Sequence, residues 1–103
     1  MQTPNVVYNL KLTNPVMEAE LKQLVEKNLE GKMESSLKKI YAKGDDVSII
    51  VRITVSETSE GYDGGFKFEF DGQSLEYDRE WFEILSDLVN HAFDNFKQRV
   101  LAK

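Results

Sequence analysis

The sequence predicts an α+β domain in the order β-α-β-β-β-α, with a four-stranded sheet and both helices packed on one face. Three observations carry that expectation. Apolar side chains alternate with period two over 6–12, 47–55 and 66–77, they recur at helical spacing over 17–41 and 82–100, and Asp71-Gly72 stands between two alternating runs as a hairpin signal. The 103 residues, 41% hydrophobic and 30% charged, fit one domain spanning 1–103.

Val6, Tyr8, Leu10 and Leu12 alternate with Val7, Asn9 and Lys11 and define a first strand with one face inward. Thr13-Asn14-Pro15 stops it, and Asn14 caps a helix that starts at Pro15, where the missing amide donor of proline is not needed. Met17, Leu21, Leu24, Val25 and Leu29 then keep helical spacing. Past Gly31 the apolar set becomes Met33, Leu37, Ile40 and Tyr41, centred roughly 150° away around the helix axis. One straight helix cannot bury both stripes. A break near Gly31 is expected, giving two segments that each face the core, with Gly44 as a left-handed cap at the end.

Residues 47–55 read as a central strand with Val47, Ile49, Val51, Ile53 and Val55 on one face. Residues 56–65 carry three glycines and no apolar periodicity, and read as a mobile connection. A two-residue turn at Asp71-Gly72 pairs Phe68 with Leu75 and Phe66 with Tyr77, which puts the apolar positions of both strands on one side. Asp78 is expected to cap the last helix, whose core stripe is Phe82, Leu85, Val89, Ala92, Phe93, Phe96 and Val100. Trp81, Ile84 and Leu88 form a second apolar stripe beside it.

The absence of cysteine excludes disulfides, thiol nucleophiles and thiolate metal sites, and the single histidine, His91, removes His-pair metal sites. No metal and no cofactor are expected. No apolar run approaches the roughly 20 residues of a membrane helix, and MQTPNVVYN lacks the basic start and apolar core of a signal peptide, so a cytoplasmic location is expected. Charge is unevenly spread. The net −5 divides into +2 over residues 1–44 and −7 over 45–103. Between Glu57 and Asp94 eleven acids face only Lys67 and Arg79, so any nucleic-acid surface lies outside the middle of the chain.

Glu69 and Glu76, on the outer face of the hairpin, are the carboxylate pair to consider for acid–base work; nothing apolar near them would raise a pKa, and they read as a solvated surface. Asp63-Gly64-Gly65 and Asp71-Gly72 lack the alternating ligands and distal Glu of a calcium loop. His91 has no Ser or Asp placed by the sequence to build a triad with it, and there is no nucleophile elbow or phosphate-cradling glycine loop. The protein is therefore expected not to be an enzyme and to take no small-molecule substrate. Lys32, Lys39 and Lys43 fall on one line at helical spacing, with Lys38 beside them. That line reads equally as an ordinary solvated face or as a phosphate-binding one. Lys97, Arg99 and Lys103 complement the dipole at a helix C-terminus, and join a phosphate-binding surface if the two helix ends are adjacent.

The element order and several strings resemble the short, single-domain form of the ribosome hibernation-promoting factors, or ribosome-associated translation inhibitors. Leu10-Lys11-Leu12-Thr13 running to Leu24-Val25-Glu26-Lys27-Asn28-Leu29 resembles the passage from first strand to helix in that family, and Trp81-Phe82 through Asp94 and Phe96-Lys97-Gln98-Arg99 resembles its aromatic-led, basic-tailed last helix. The resemblance implies a fold like that of double-stranded RNA-binding domains and a non-enzymatic regulator that binds ribosomal RNA of the small subunit and blocks translation by occupancy. It implies RNA contacts from Lys22, Lys27, Lys32, Lys38, Lys39 and Lys43 with Lys97, Arg99 and Lys103; of these, Lys27, Lys97 and Arg99 lie in the strings that match. The sequence differs from the family in having Asn28 and Gly31 where further lysines are expected, a longer first helical region, and no long C-terminal extension, so action on single ribosomes is expected. The competing expectation is a homodimer or protein-binding module that uses Trp81, Ile84 and Leu88.

Overall fold

The computed structural model describes residues 4–44 and 47–102. In chain order these form β1 (Asn5–Lys11), α1 (Pro15–Glu30), α2 (Glu34–Tyr41), β2 (Ile49–Thr58), β3 (Gly61–Phe70), β4 (Gln73–Phe82) and α3 (Leu85–Leu101). The strands form one sheet in sequence order, β1 parallel to β2 and the other pairs antiparallel. The parallel pair needs a crossover, and α1 and α2 supply it. The α+β class and the one-faced helical layer are as expected from the sequence, with the first helix divided into two.

The division falls at Gly31. Asn14 accepts a hydrogen bond from the Val16 amide and Pro15 opens α1; at the other end the Gly31 amide donates to the Lys27 carbonyl and closes it. Leu21, Val25 and Leu29 of α1 and Met33 and Ile40 at and within α2 are all buried, so each segment turns its own stripe to the core. Asn28 is buried too, and donates from Nδ2 to the Leu24 carbonyl at 2.8 Å and to Asn90 Oδ1 at 3.2 Å. This fastens α1 to α3 and accounts for the absence of a lysine at that position. α2 ends on Ala42 in a right-handed conformation rather than on a left-handed Gly44.

On the sheet, Ile49, Val51, Ile53 and Val55 of β2 and Phe66, Phe68 and Phe70 of β3 are buried, while Arg52, Thr54, Lys67 and Glu69 take the open face. The β3–β4 turn has Asp71 at φ +49° and Gly72 at φ +71°, the paired positive angles of a two-residue hairpin turn, and the register is Phe68 opposite Leu75 and Phe66 opposite Tyr77. α3 lies over β3 and β4, with the Phe96 ring 5.6 Å from that of Phe68 and 6.1 Å from that of Phe93.

Two further expectations are corrected. The expected mobile connection over 56–65 is strand: β2 runs to Thr58 and β3 begins at Gly61. Its glycines serve close packing as well as turning, since a Cβ at Gly64 would stand 2.8 Å from Leu88 Cδ2 and 2.9 Å from Phe66 Cε1. Asp78 does not cap the last helix either. It lies in β4 opposite Gly65, the strand continues to Phe82, and α3 starts at Leu85 with no side-chain cap. The long β3 needs a partner over its whole length, and that pairing prevails over the helical spacing of residues 82–85.

The close approach at Gly64 sets an expected outcome. Gly64→Ala should lower stability by about 1–3 kcal/mol through overpacking against Leu88 and Phe66, read as a fall in the urea midpoint. An unchanged midpoint would mean that the strand is free to move away from α3.

Candidate nucleic-acid interface

The basic residues divide according to what their side chains reach. Lys39, on α2, donates from Nζ to the carbonyls of Val100 and Leu101 at 3.2 and 3.1 Å, so it caps the C-terminus of α3 and brings the two helix ends together. Lys32, in the α1–α2 link, pairs with Asp94 at 2.9 Å and reaches the Asn90 carbonyl at 3.4 Å, holding that link to the middle of α3. Arg99 turns the other way and donates to the Glu76 carbonyl of β4 at 2.8 Å and to Asn95 Oδ1 at 3.2 Å. Lys38 pairs with Glu34 at 3.0 Å along α2, and Lys43 with Asp71 in the β3–β4 turn at 3.3 Å. Lys22 lies over the ring of Tyr8, 5.5 Å from its centroid. Burial raises the pKa of that phenol, with a further push from the charge of Glu26. Lys27 and Lys97 form no ion pair among the described residues, and Lys103 lies outside them.

Of the expected line of Lys32, Lys39 and Lys43, only Lys39 meets the end of α3; Lys32 reaches the middle of that helix and Lys43 the β3–β4 turn. Segregation from acid is incomplete. Lys32, Lys38 and Lys43 each touch a carboxylate, and exposed pairs of that kind contribute only about 0–1 kcal/mol. The cationic corner formed by α2 and the last turns of α3 is thus partly occupied by weak internal partners.

The fold itself is shared with a solved structure. The chain has the fold of the N-terminal domain of Thermus thermophilus Protein Y. The two superpose with a TM-score of 0.63 over 93% of this chain and 94% of that one, at 13% sequence identity. No family model and no curated protein matches the sequence. The shared fold is the one that the sequence resemblance implied.

Other expected sites come out differently. The apolar stripe of Trp81, Ile84 and Leu88 does not exist as a helix face. Leu88 is fully buried over Gly64, whereas Trp81 and Ile84, 64% and 54% exposed, belong to the end of β4 and the turn before α3. Their three-residue spacing spans a strand–helix junction. Trp81 takes φ +58°, a conformation rare for a bulky side chain, and its amide donates to Asp63 Oδ1 at 3.0 Å. His91 is exposed, with its ring 5.7 Å from that of Phe82. On the open face of the sheet Glu69 meets Arg52 at 3.2 Å and Lys67 at 3.4 Å, and Lys67 reaches Glu76 at 4.0 Å. The hydrogen bond from Arg52 leads the causes that lower the pKa of Glu69, the opposite of what a general acid needs. Among the described residues no three His, Cys, Asp or Glu side chains are grouped to hold a metal, and no helix is long and apolar enough to cross a membrane.

Two features had no counterpart in the sequence reading. Asn28 bridges to Asn90, and Ser36 is buried with its hydroxyl unpaired, both where α1 and α2 meet α3. Interruption of an apolar stripe by a small polar residue is the signal that such positions leave.

Removing the α3 cap separates the structural from the solvated lysines. Lys39→Met should lower stability by about 0.3–1 kcal/mol, and Lys38→Met by less, measured by urea denaturation. For Glu69 the folded-state pKa lies below its ordinary 4.5, so its contribution to stability is present above that value and fades as pH falls through the lowered one. Arg52→Gln should move the Glu69 titration, followed by NMR, back up toward 4.5.

Proposed function

We propose that this domain is a non-enzymatic, ribosome-associated regulator that binds the small subunit through ribosomal RNA phosphates and blocks translation by occupying a site rather than by chemistry. The observation that carries this reading is the fold shared with the N-terminal domain of Protein Y, a ribosome hibernation-promoting factor, over nearly the whole length of both chains. It agrees with the resemblance of the first-strand and last-helix strings to the same family.

The meeting of α2 with the C-terminal end of α3 adds a physical basis. Lys27, Lys39, Lys97 and Arg99 have no carboxylate partner among the described residues, and Lys38 and Lys43, paired at the surface, exchange theirs for phosphate at little cost, with Lys32 beside them tied to α3. Lys22 and Lys103 complete the set, and the cytoplasm is where such a factor acts. On the open face Arg52 and Lys67 are already paired with Glu69 and Glu76, which leaves the helical side as the one that docks.

The test is co-sedimentation with purified small subunits across a salt series. Binding at low salt should fall with a log–log slope of about −3 to −5, a handful of phosphate contacts at roughly −0.7 to −0.9 each. Lys27→Glu with Lys97→Glu, two exposed or half-exposed changes, should reduce the bound fraction about tenfold or more at a salt concentration where wild type is half bound. Absence of a small-subunit fraction at low salt overturns the proposal.

A further inference from the structure

The break at Gly31 opens a groove on the side of α2 away from α3. It has a volume of about 930 Å³ and lies between β1 and the two helices, with Val6, Leu29 and Leu37 among its apolar walls and Glu26, Glu30 and Glu34 along it. Lys38, the one cation lining it among the described residues, is already held by Glu34 at 3.0 Å. Glu26 and Glu30 form no ion pair among the described residues and stand one helical turn apart, where like charges repel. An apolar trough with uncompensated negative charge on its wall favours an occupant of the complementary kind.

We propose that this groove is a docking site for a segment of a partner protein that carries large apolar side chains together with lysine or arginine. The apolar side chains enter between Val6, Leu29 and Leu37, and the cations relieve the repulsion between Glu26 and Glu30. The site adjoins the cationic corner and shares only Lys38 with the residues assigned to RNA: α2 turns Lys39 toward α3 and Leu37 toward the groove. The inference goes beyond the ribosomal reading and does not rest on it.

The probe is a fluorescently labelled amphipathic peptide of leucine and lysine, titrated by anisotropy at physiological ionic strength. Two control peptides replace all its leucines by serine or all its lysines by glutamate. Expected are saturable binding of the leucine–lysine peptide alone and an affinity about tenfold lower for Glu26→Gln with Glu30→Gln. Glu76→Gln with Glu80→Gln removes the same charge from β4, the opposite edge of the sheet, and should leave affinity unchanged. Trp81, the single tryptophan, reports on that same far edge, and its emission should not move on binding.

Equal loss in both double variants, or equal binding of the serine–lysine peptide, would reduce the effect to general attraction by a protein of charge −5 and overturn the proposal. Equal binding of the leucine–glutamate peptide would remove the role of Glu26 and Glu30. A shift in Trp81 emission would put the peptide at the wrong end of the molecule. Absence of binding to wild type overturns the proposal outright. None of these changes touches a residue assigned to RNA contact, so ribosome sedimentation by the same variants distinguishes failure here from failure of the ribosomal reading.

Discussion

Leu88 reaches the backbone of β3 because residue 64 has no side chain, and from that contact α3 runs over the aromatic floor of the sheet to Val100. Phe96 packs on Phe68 and Phe93 stands edge-on to Phe96, so the helix is held along its length by large, fully buried side chains. Everything else above the sheet is registered against it. Asn28 reaches Asn90, Lys32 reaches Asp94, and Lys39 reaches the carbonyls of Val100 and Leu101. These three polar ties climb α3 in the same order as their donors climb α1 and α2. Movement of α3 on β3 would disturb all of them together.

This registration explains why counting lysines misleads. A lysine on a helix surface has the same weight in a net-charge sum whether its ammonium caps a neighbouring helix or stands in water. Lys39 is committed to two backbone carbonyls, whereas Lys27 and Lys97 form no ion pair among the described residues. A helix C-terminus whose carbonyls are already neutralised is less negative, so Lys39 bears on the charge of this corner even while it is occupied. The carboxylates that pair with Lys32, Lys38 and Lys43 offset positive charge more directly, because each stands within 3.3 Å of an ammonium.

Much of the fold was legible in the sequence where one residue type has one local meaning. Asp71-Gly72 supplies two positive φ angles that few other pairs accept, and from it the Phe68–Leu75 register follows by counting. The break at Gly31 was legible because two apolar stripes on one rod cannot both be buried. Glycine within 56–65 was ambiguous, since a residue chosen for mobility and one chosen to admit Leu88 are written with the same letter. Trp81, Ile84 and Leu88 misled for a related reason: spacings of three and four arise by chance where a strand meets a helix. Of the site, the positions of the cations were legible but their partners were not. The contacts that matter span 58 to 62 residues of sequence, beyond anything a local pattern encodes.

The two flanks of α2 have opposite characters, and one change of direction produces both. Had α1 continued straight through Gly31, the stripe of Met33 and Ile40 would have faced solvent and neither flank would meet a neighbour. Turning the chain buries Met33 and Ile40, and geometry then fixes the rest: residues on one side of that stripe, Lys32 and Lys39, must face α3, while those on the other, Glu34, Leu37 and Tyr41, must face the side of β1. An acidic protein thereby gathers positive charge at one helix junction while collecting carboxylates along the adjoining trough. Segregation over a distance of one helix diameter, roughly 10 Å, is about one Debye length at physiological salt. At that range each flank is screened from the other, and a chain of net charge −5 can present a surface to phosphate without its acidic majority cancelling it.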